Sequence, residues 1–250
     1  MDKDHIVKSY DEDLRRLENM IAEMGGLAEV QLAEAIEALV RFDTDAAKEI
    51  VKKDKKIDAL EMEIDDFIVK LIALRQPLAE DLRSVITGLK ISSNLERIGD
   101  YSKNIAKRTT TLSQSSMMPT LVKGPIGTIS RMARIVQEMI NNVLDAYIAR
   151  DADKADDVRA KDEEVDQLHS SLFRELLTYM MEEPRNITPC THLLFVAKNV
   201  ERMGDHVTGI AEQVHFMVHG QLPDEERIKG DSTSTMMVEP PELPIGDASE

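Results

Sequence analysis

The chain of 250 residues contains no tryptophan, and aromatic residues make up only 4% of it. Glycine is also scarce, with 11 residues. The residues that occur in long runs are Ala, Leu, Ile, Met, Glu and Lys, which are common in helices. Apolar residues still account for 42% of the chain, so the composition predicts a helical protein with a sizeable core.

Cysteine occurs once, at Cys190. A single cysteine excludes an internal disulfide framework and suits a reducing compartment. The N-terminal residues 1–5 are charged and are not followed by the apolar run of a secretory signal. No stretch approaches the ~18 uninterrupted apolar residues of a membrane span. We therefore expect a cytoplasmic protein.

Positive charge is in short supply, because 31 Lys and Arg stand against 47 Asp and Glu, for a net charge of −16. This balance argues against nucleic acid as the main partner. The sequence also has no glycine-rich phosphate loop, no Ser/His/Asp or Cys/His arrangement and no basic patch interleaved with aromatics. Most of the acidic residues are expected on a solvated surface, and some of them can hold cations.

Apolar residues recur at alternating steps of three and four, which predicts six amphipathic helices and an all-α fold. Asp43 and Asp151 are expected to cap the second and fifth helices, and Gly220 to end the sixth. The core-facing positions include Leu74 near the end of the second helix and Val218 near the end of the sixth. Proline at positions 77 and 184 is expected to end helices two and five.

The chain is divided by a polar stretch at residues 109–116, which we interpret as a connector between two repeats. Residues 1–113 and 114–223 are each predicted to form an up-down-up bundle of three helices, in tandem. Residues 224–250 carry eight acidic and two basic side chains with no apolar period. We expect this last segment to be a disordered acidic tail.

One motif is written twice, at residues 94–107 and 199–212, with an offset of 105. Each copy contains Glu-x-x-x-Asp, as Glu96 with Asp100 and as Glu201 with Asp205. Residues four apart lie on one face of a helix, about 6 Å from each other. Two carboxylates so placed repel each other, unless a salt bridge or a cation neutralises them.

The preceding helix of each repeat carries a second acidic pair, Asp54 with Asp58 and Asp162 with Asp166. Asp58 and Glu96 lie 19 residues before and after Pro77, so an antiparallel hairpin places them at equal height. The second hairpin agrees within about a residue. Because packed helices are ~8–10 Å apart, four carboxylates can converge once per repeat.

Two interpretations of these clusters remain open. Divalent cations with oxygen ligands, such as iron, manganese, zinc or magnesium, would relieve the repulsion. Alternatively, the acids form salt bridges with nearby basic residues, namely Arg97, Arg202, Lys55 and Lys161. Because the acids flank the apolar positions, we expect shallow, solvent-open sites, with Glu61 and its counterpart His169 as further possible ligands.

The chain resembles the PhoU family of phosphate-uptake regulators over about residues 5–220. The resemblance is carried by Leu95-Glu96-Arg97-Ile98-Gly99-Asp100 with Asn104, by Val200-Glu201-Arg202-Met203-Gly204-Asp205, and by residues 75–83 at the first hairpin turn. It implies two three-helix bundles and metal clusters on the acid-x-x-x-Asp motifs. The metal ligands would be Asp54, Asp58, Glu96, Asp100, Asp162, Asp166, Glu201 and Asp205.

The resemblance also implies a function without catalysis. Such a protein restrains the high-affinity phosphate ABC transporter and helps a membrane sensor histidine kinase to keep the phosphate-starvation response off. It would contact the transporter ATPase and the kinase, and would meet the membrane only through them. The long rows of apolar residues along the helices, which we call apolar seams, together with the family resemblance suggest a homodimer.

The two repeats differ where Asn104 becomes Gly209 and Glu61 becomes His169. The turn around Pro77, Asp81 and Arg83 has no close counterpart in the second repeat, so we interpret it as a protein-contact surface. The alternative to an adaptor is a metal-dependent helical-bundle enzyme, an oxidase or hydrolase. Such an enzyme needs an open coordination position and a positioned base, and the sequence shows no pattern for either.

Overall fold

The computed structural model describes residues 3–114, 123–224 and 233, with side chains from Tyr10 onward. The regular elements in these described ranges are α-helices and one short 3₁₀ helix at Pro184–Asn186, and the ranges contain no strand. In chain order the helices are α1 (Lys3–Arg41), α2 (Thr44–Lys53), α3 (Lys55–Arg75), α4 (Glu80–Leu112), α5 (Lys123–Ala149), α6 (Ala152–Glu182) and α7 (Ile187–His219).

The helix ends follow the predicted capping residues. The Asp43 carboxylate accepts hydrogen bonds from the backbone N–H groups of Asp45 and Ala46, which satisfies the free donors at the start of α2. Asp151 does the same for Lys154 at the start of α6. Gly220 ends α7 in the left-handed conformation, with φ of +77°.

The predicted second helix consists of two segments, α2 and α3, that meet at Asp54. The backbone of Asp54 keeps helical angles, with φ −51° and ψ −35°. Its carbonyl accepts hydrogen bonds from the N–H groups of Ile57 and Asp58. The two segments therefore form one continuous rod, which we call the α2/α3 rod. With this rod counted as one helix, the predicted all-α architecture of two three-helix bundles is confirmed.

The two bundles pack side by side through α4 against α7 and α1 against α5. Residues further along α4 meet residues earlier in α7: Thr87 bonds to the Gln213 carbonyl, and Asn94 lies beside His206. The two helices are therefore antiparallel, and an approximate two-fold axis relates the repeats. Buried side chains of both bundles form one continuous core.

Three details differ from the sequence predictions. Helix α4 continues through the expected polar connector to Leu112, because Thr109 and Leu112 are buried in the core. Leu74 is 80% exposed rather than buried. The inward position at that end of α3 is taken by Arg75, whose guanidinium pairs with Asp13 at 2.8 Å. Val218, in the last turn of α7, is likewise partly exposed.

The predicted boundary at residues 113/114 falls just after α4, at Ser113. Residues 115–122 and nearly all of the predicted tail lie outside the described residues. Thr233 is described and half-buried, and it lines a groove with residues of α6 and α7 such as Phe173 and Phe195. No helix in the described ranges is long and apolar enough to cross a membrane.

Candidate functional site: two carboxylate clusters

The first cluster forms where the α2/α3 rod faces α4, and it brings together Asp54, Asp58, Glu96 and Asp100. The ammonium group of Lys103 binds both the Asp54 and the Asp100 carboxylates, which joins the two helices directly. Asp58 lies in the field of Asp54, Lys103 and Asp100, and Glu96 in the field of Asp100, Arg97 and Glu61. The equal height inferred from the hairpin turn is therefore observed for Asp54 and Asp100, which share Lys103.

A glutamine from α1 completes the polar contacts of this cluster. The Gln31 side-chain amide donates to Asp54 Oδ1 at 2.8 Å and to the Gly99 carbonyl at 3.0 Å. Asp54 Oδ2 accepts from Lys103. Both carboxylate oxygens of the buried Asp54 thus have a donor from this chain.

Charges in the first cluster shift the pKa values of its members. Burial and the neighbouring Asp100 raise the pKa of Glu96 to about 7, although Arg97 opposes this. Burial, followed by the charge of Asp54, raises the pKa of Asp58. Burial alone would lower the pKa of Lys103, but its hydrogen bonds to Asp100 and Asp54 raise it. The cluster therefore holds a firmly protonated lysine among carboxylates, one of which titrates near neutrality.

The second cluster lies at the equivalent place between α6 and α7. Asp162, Asp166 and His169 of α6 are buried, as is Glu201 of α7, while Asp205 is half-buried. Lys198 pairs with Glu201 at 2.9 Å from the more exposed side. This cluster thus combines carboxylate oxygens with one imidazole, a donor set that suits borderline divalent cations.

The glycine in each copy of the motif lets an acidic residue approach the facing helix. A Cβ at Gly204 would stand 2.2 Å from Asp162 Oδ1, and a Cβ at Gly99 would stand 3.4 Å from Asp54 Oδ1. Real Cβ atoms do not approach other atoms as closely as 2.2 Å. Gly204 therefore provides a cradle for Asp162, whereas a Cβ at Gly99 would meet Ile57 first, at 3.0 Å.

The expectation of shallow, solvent-open positions was wrong for four of the eight acids, whereas Asp58, Glu96, Asp100 and Asp205 are half-buried. The exposed fractions are 2% for Asp54, 1% for both Asp162 and Asp166, and 4% for Glu201. The glycine cradle at Gly204 allows Asp162 to lie under the facing helix rather than at its edge. Of the expected salt-bridge partners, Arg97 pairs with Glu96 at 3.6 Å and Asp100 at 3.5 Å, whereas Lys161 pairs with Glu164.

The sequence reasoning missed Lys103 and Gln31. Lys103 lies three residues after Asp100, so helical spacing alone places it on the same face. Gln31 carried no such signal, because its helix is distant in sequence. Among the side chains that the structure describes, no group of three or more His, Cys, Asp or Glu is arranged to hold a metal ion as it stands.

The first hairpin turn carries exposed aliphatic residues that sequence reasoning placed elsewhere or overlooked. Leu74 and Leu78 are 80% and 79% exposed, and Leu82 is partly exposed. We call these three leucines the hairpin patch. Asp81 is exposed and Pro77 half-buried beside it.

Arg83, the third residue of the expected contact surface, also makes a contact within the chain. A Cβ at Gly220 would lie 1.9 Å from Arg83 Nη1, so the guanidinium packs directly on the end of α7. Its contact joins the first hairpin to the second bundle.

Comparison with known proteins identifies relatives along almost the whole chain. The family model described as "PhoU domain" matches residues 21–109 and 129–214. The chain is 46% identical over 232 residues to a protein of Rhizobium meliloti (strain 1021) named "Phosphate-specific transport system accessory protein PhoU homolog", covering 93% of this chain and 96% of that one. It is 50% identical over 226 residues to a protein of the same name from Zymomonas mobilis, covering 90% and 93%.

Solved structures show the same architecture. The crystal structure of PhoU from Pseudomonas aeruginosa superposes with a TM-score of 0.80 at 35% identity, covering 85% of this chain and 100% of that one. A phosphate transport system regulatory protein PhoU from Streptococcus pneumoniae gives 0.78 at 28% identity, with coverage of 86% and 100%. Both bundles of this chain therefore have counterparts in known structures.

Proposed function

Because this chain belongs to the PhoU family, we propose that it is an accessory regulator of phosphate-specific transport that acts by binding other proteins. The observation that carries this proposal is similarity over both bundles to relatives named for that system, at 46% and 50% identity. The proposed role is negative: the protein restrains phosphate uptake and the phosphate-starvation response when phosphate is plentiful.

The proposed partners are the ATPase subunit of the phosphate ABC transporter and the phosphate sensor histidine kinase. The hairpin patch supports a protein-binding role, since three exposed leucines lie within nine residues of one turn, and exposed apolar patches commonly mark interaction sites. Asp81 adds a charged residue beside the leucines, as in interfaces with a polar rim. In this proposal the protein is cytoplasmic and reaches the membrane through these partners.

The proposal that the protein is not an enzyme is supported by the contacts that the chain itself makes to the first cluster. A general base needs a group positioned at an accessible reacting atom, but Asp54 is buried with both of its oxygens bonded to Gln31 and Lys103. These bonds serve to join helices. A metal-dependent oxidase or hydrolase remains the alternative, and the second cluster would be its only candidate centre among the described residues.

Divalent cations are part of the proposal, and the second cluster is the site that suits them. Asp162, Asp166, Glu201 and Asp205 would supply oxygen ligands and His169 a nitrogen ligand. The glycine cradle at Gly204 fits this role, because it holds Asp162 against the helix that carries Glu201 and Asp205. A bound cation would offset the repulsion among these acids; iron, manganese, zinc and magnesium are the candidates.

A homodimer is also proposed. The apolar seams that suggested it are buried within one chain, so its support comes from exposed aliphatic residues on α1 and α5, namely Val30, Val40 and Ile148. Sedimentation equilibrium tests this point, with twice the chain mass of 28.1 kDa as the expected result.

Deletion of the gene tests the regulatory role. A reporter of the phosphate-starvation response should become active in high phosphate, and the wild-type gene should silence it again. A reporter that stays silent in the deletion strain would contradict the proposal.

The double variant Leu74→Ser with Leu78→Ser tests the hairpin patch. It should fold normally, lose binding to the purified transporter ATPase and fail to silence the reporter. The matched control is Met181→Ser with Ile187→Ser, which removes exposed apolar residues at the other hairpin turn. Equal ATPase binding by both double variants would contradict the assignment of the patch.

A further inference from the structure

The two clusters differ at the positions that face their acids. Lys103 and Gln31 contact Asp54 in the first cluster. By the repeat offsets of 105 and 108 residues, their counterparts in the second cluster are Thr208 and Met139. Thr208 is neutral, and its hydroxyl donates to the Asp205 carbonyl at 2.8 Å. At this position the first repeat therefore carries a positive charge and the second a neutral side chain. The second cluster has its lysine elsewhere, at Lys198, which pairs with Glu201 of its own helix, whereas Lys103 bridges the two helices.

We propose that the ammonium group of Lys103 permanently takes the place of a divalent cation in the first cluster, so that metal binding is confined to the second. This inference rests on the proposed cation binding of the second cluster. The two sites carry the same sequence motif but are assigned different roles. In the first bundle Lys103 links two helices, which we call the lysine lock, and in the second bundle the acids bind a cation.

The contacts of Lys103 carry the inference. The ammonium group binds one carboxylate of its own helix, Asp100, and one from the facing rod, Asp54. The lysine side chain is only 21% exposed, so its charge acts where water screens it weakly. A metal ion at this place would likewise bridge the two helices through their carboxylates, so Lys103 already fills that role.

The oxygen atoms that a metal would need are already engaged. Asp54 Oδ1 accepts from Gln31 and Oδ2 from Lys103, while Asp100 accepts from Lys103 and lies 3.5 Å from Arg97. A divalent ion would have to break these bonds and stand beside the ammonium group. Like charges within a few ångströms repel strongly in a partly buried site, so the metal is excluded.

Reciprocal exchange of the two equivalent residues tests the inference. Lys103→Thr gives the first cluster the side chain of the second, and Thr208→Lys does the reverse. Metal-free protein is titrated with MnCl₂. Binding is measured by calorimetry and by the decrease in the electron paramagnetic resonance signal of free Mn²⁺. We expect one equivalent per chain for the wild type and two for Lys103→Thr. For Thr208→Lys we expect affinity at the second cluster to fall about tenfold or more.

The additional site in Lys103→Thr must depend on Asp54. The double variant Lys103→Thr with Asp54→Asn should return to the wild-type equivalents of Mn²⁺. Circular dichroism checks that each variant keeps its helices, and Lys103→Gln, which retains length and a hydrogen-bond donor without charge, replaces Lys103→Thr if that variant does not fold.

The outcomes separate this inference from the proposed cation binding. Suppose that the wild type binds no Mn²⁺, but Lys103→Thr binds one equivalent that is lost on Asp54→Asn. This result would support the lysine lock and would contradict cation binding by the second cluster. If the folded lysine variant gains no Mn²⁺, the lysine lock is overturned. A wild type that already binds two equivalents, one of them lost on Asp54→Asn, overturns it as well.

Discussion

The carboxylate of Asp162 lies directly against the backbone of Gly204, so that a Cβ at position 204 would stand 2.2 Å from Asp162 Oδ1. Asp162 is buried and its short side chain has little freedom to move aside. We therefore expect Gly204→Ala to lower the free energy of unfolding by about 1–3 kcal/mol, the usual range for overpacking. Urea unfolding followed by circular dichroism measures this change.

The control for this prediction is Gly26→Ala in α1, where a new Cβ would meet nothing within 4 Å. Alanine is favoured over glycine inside a helix, so this variant should be more stable by about 0.5–1 kcal/mol. If Gly204→Ala is also stabilising, the glycine cradle does not constrain Asp162.

Gln31 is expected to stabilise the first cluster although it lies outside the repeated motif. Gln31→Met installs the residue that the second repeat has at this position, and it removes the donors to Asp54 Oδ1 and the Gly99 carbonyl. Buried acceptors that lose their donor cost about 1–3 kcal/mol, which urea unfolding will detect. The comparison variant is Asn141→Ala, which loses an exposed bond to Glu29 and should change stability by less than about 0.5 kcal/mol. Equal effects of the two substitutions would argue against the role of Gln31.

Glu96 should make the protein less stable as pH rises toward neutrality. Its pKa is about 7 in the folded protein against an ordinary 4.5, so the folded state binds the proton more tightly than the unfolded state does. Its contribution is full below pH 4.5 and is lost as pH rises through about 7. Glu96→Gln should remove this dependence. Unfolding free energies measured for both proteins between pH 4.5 and 8 test it; a constant difference across that range would refute the assignment.

His206 should act in the opposite direction at the contact between the bundles. Burial, with help from Arg97 and Arg202, lowers the pKa of its imidazole, and Nδ1 lies 2.8 Å from Asn94 Oδ1. The stability that the neutral imidazole provides is present above its ordinary pKa of 6.5 and is lost as pH falls through the lower folded value. His206→Gln should therefore flatten the acid side of the stability profile in thermal unfolding. An unchanged profile would show that the bundle contact does not depend on the charge of His206.

Much of the fold could be predicted because helical periodicity is a local property. The alternating apolar steps placed Ile21, Ile64 and Leu95 in the core, where they are fully buried, and the capping residues marked where helices begin. The same reasoning failed for Leu74 at the end of α3. There the inward position belongs to Arg75, because Asp13 of α1 faces it, and a pattern within one helix does not report what its neighbour presents.

The candidate site divides in the same way. Distance from the hairpin turn was enough to bring Asp54 level with Asp100, which Lys103 joins, since an antiparallel helix pair keeps equal steps at equal heights. The deep burial of four of the acids, Asp54, Asp162, Asp166 and Glu201, was not predicted, and the donors to Asp54 were missed. Both depend on side chains from other helices: the missing Cβ of Gly99 or Gly204, the amide of Gln31 and the ammonium of Lys103.

The sequence by itself determined that this protein is a duplicated set of amphipathic helices with paired carboxylates at matching heights, because periodicity and spacing act along one chain segment. Only the tertiary structure decided that α4 and α7 pack antiparallel, that Asp54 and Asp162 are buried against the facing helices, and that Lys103 joins the two helices of the first cluster. Those features depend on contacts between side chains that are distant in the sequence. One such side chain, Lys103 in place of the threonine of the second repeat, changes the charge of its cluster.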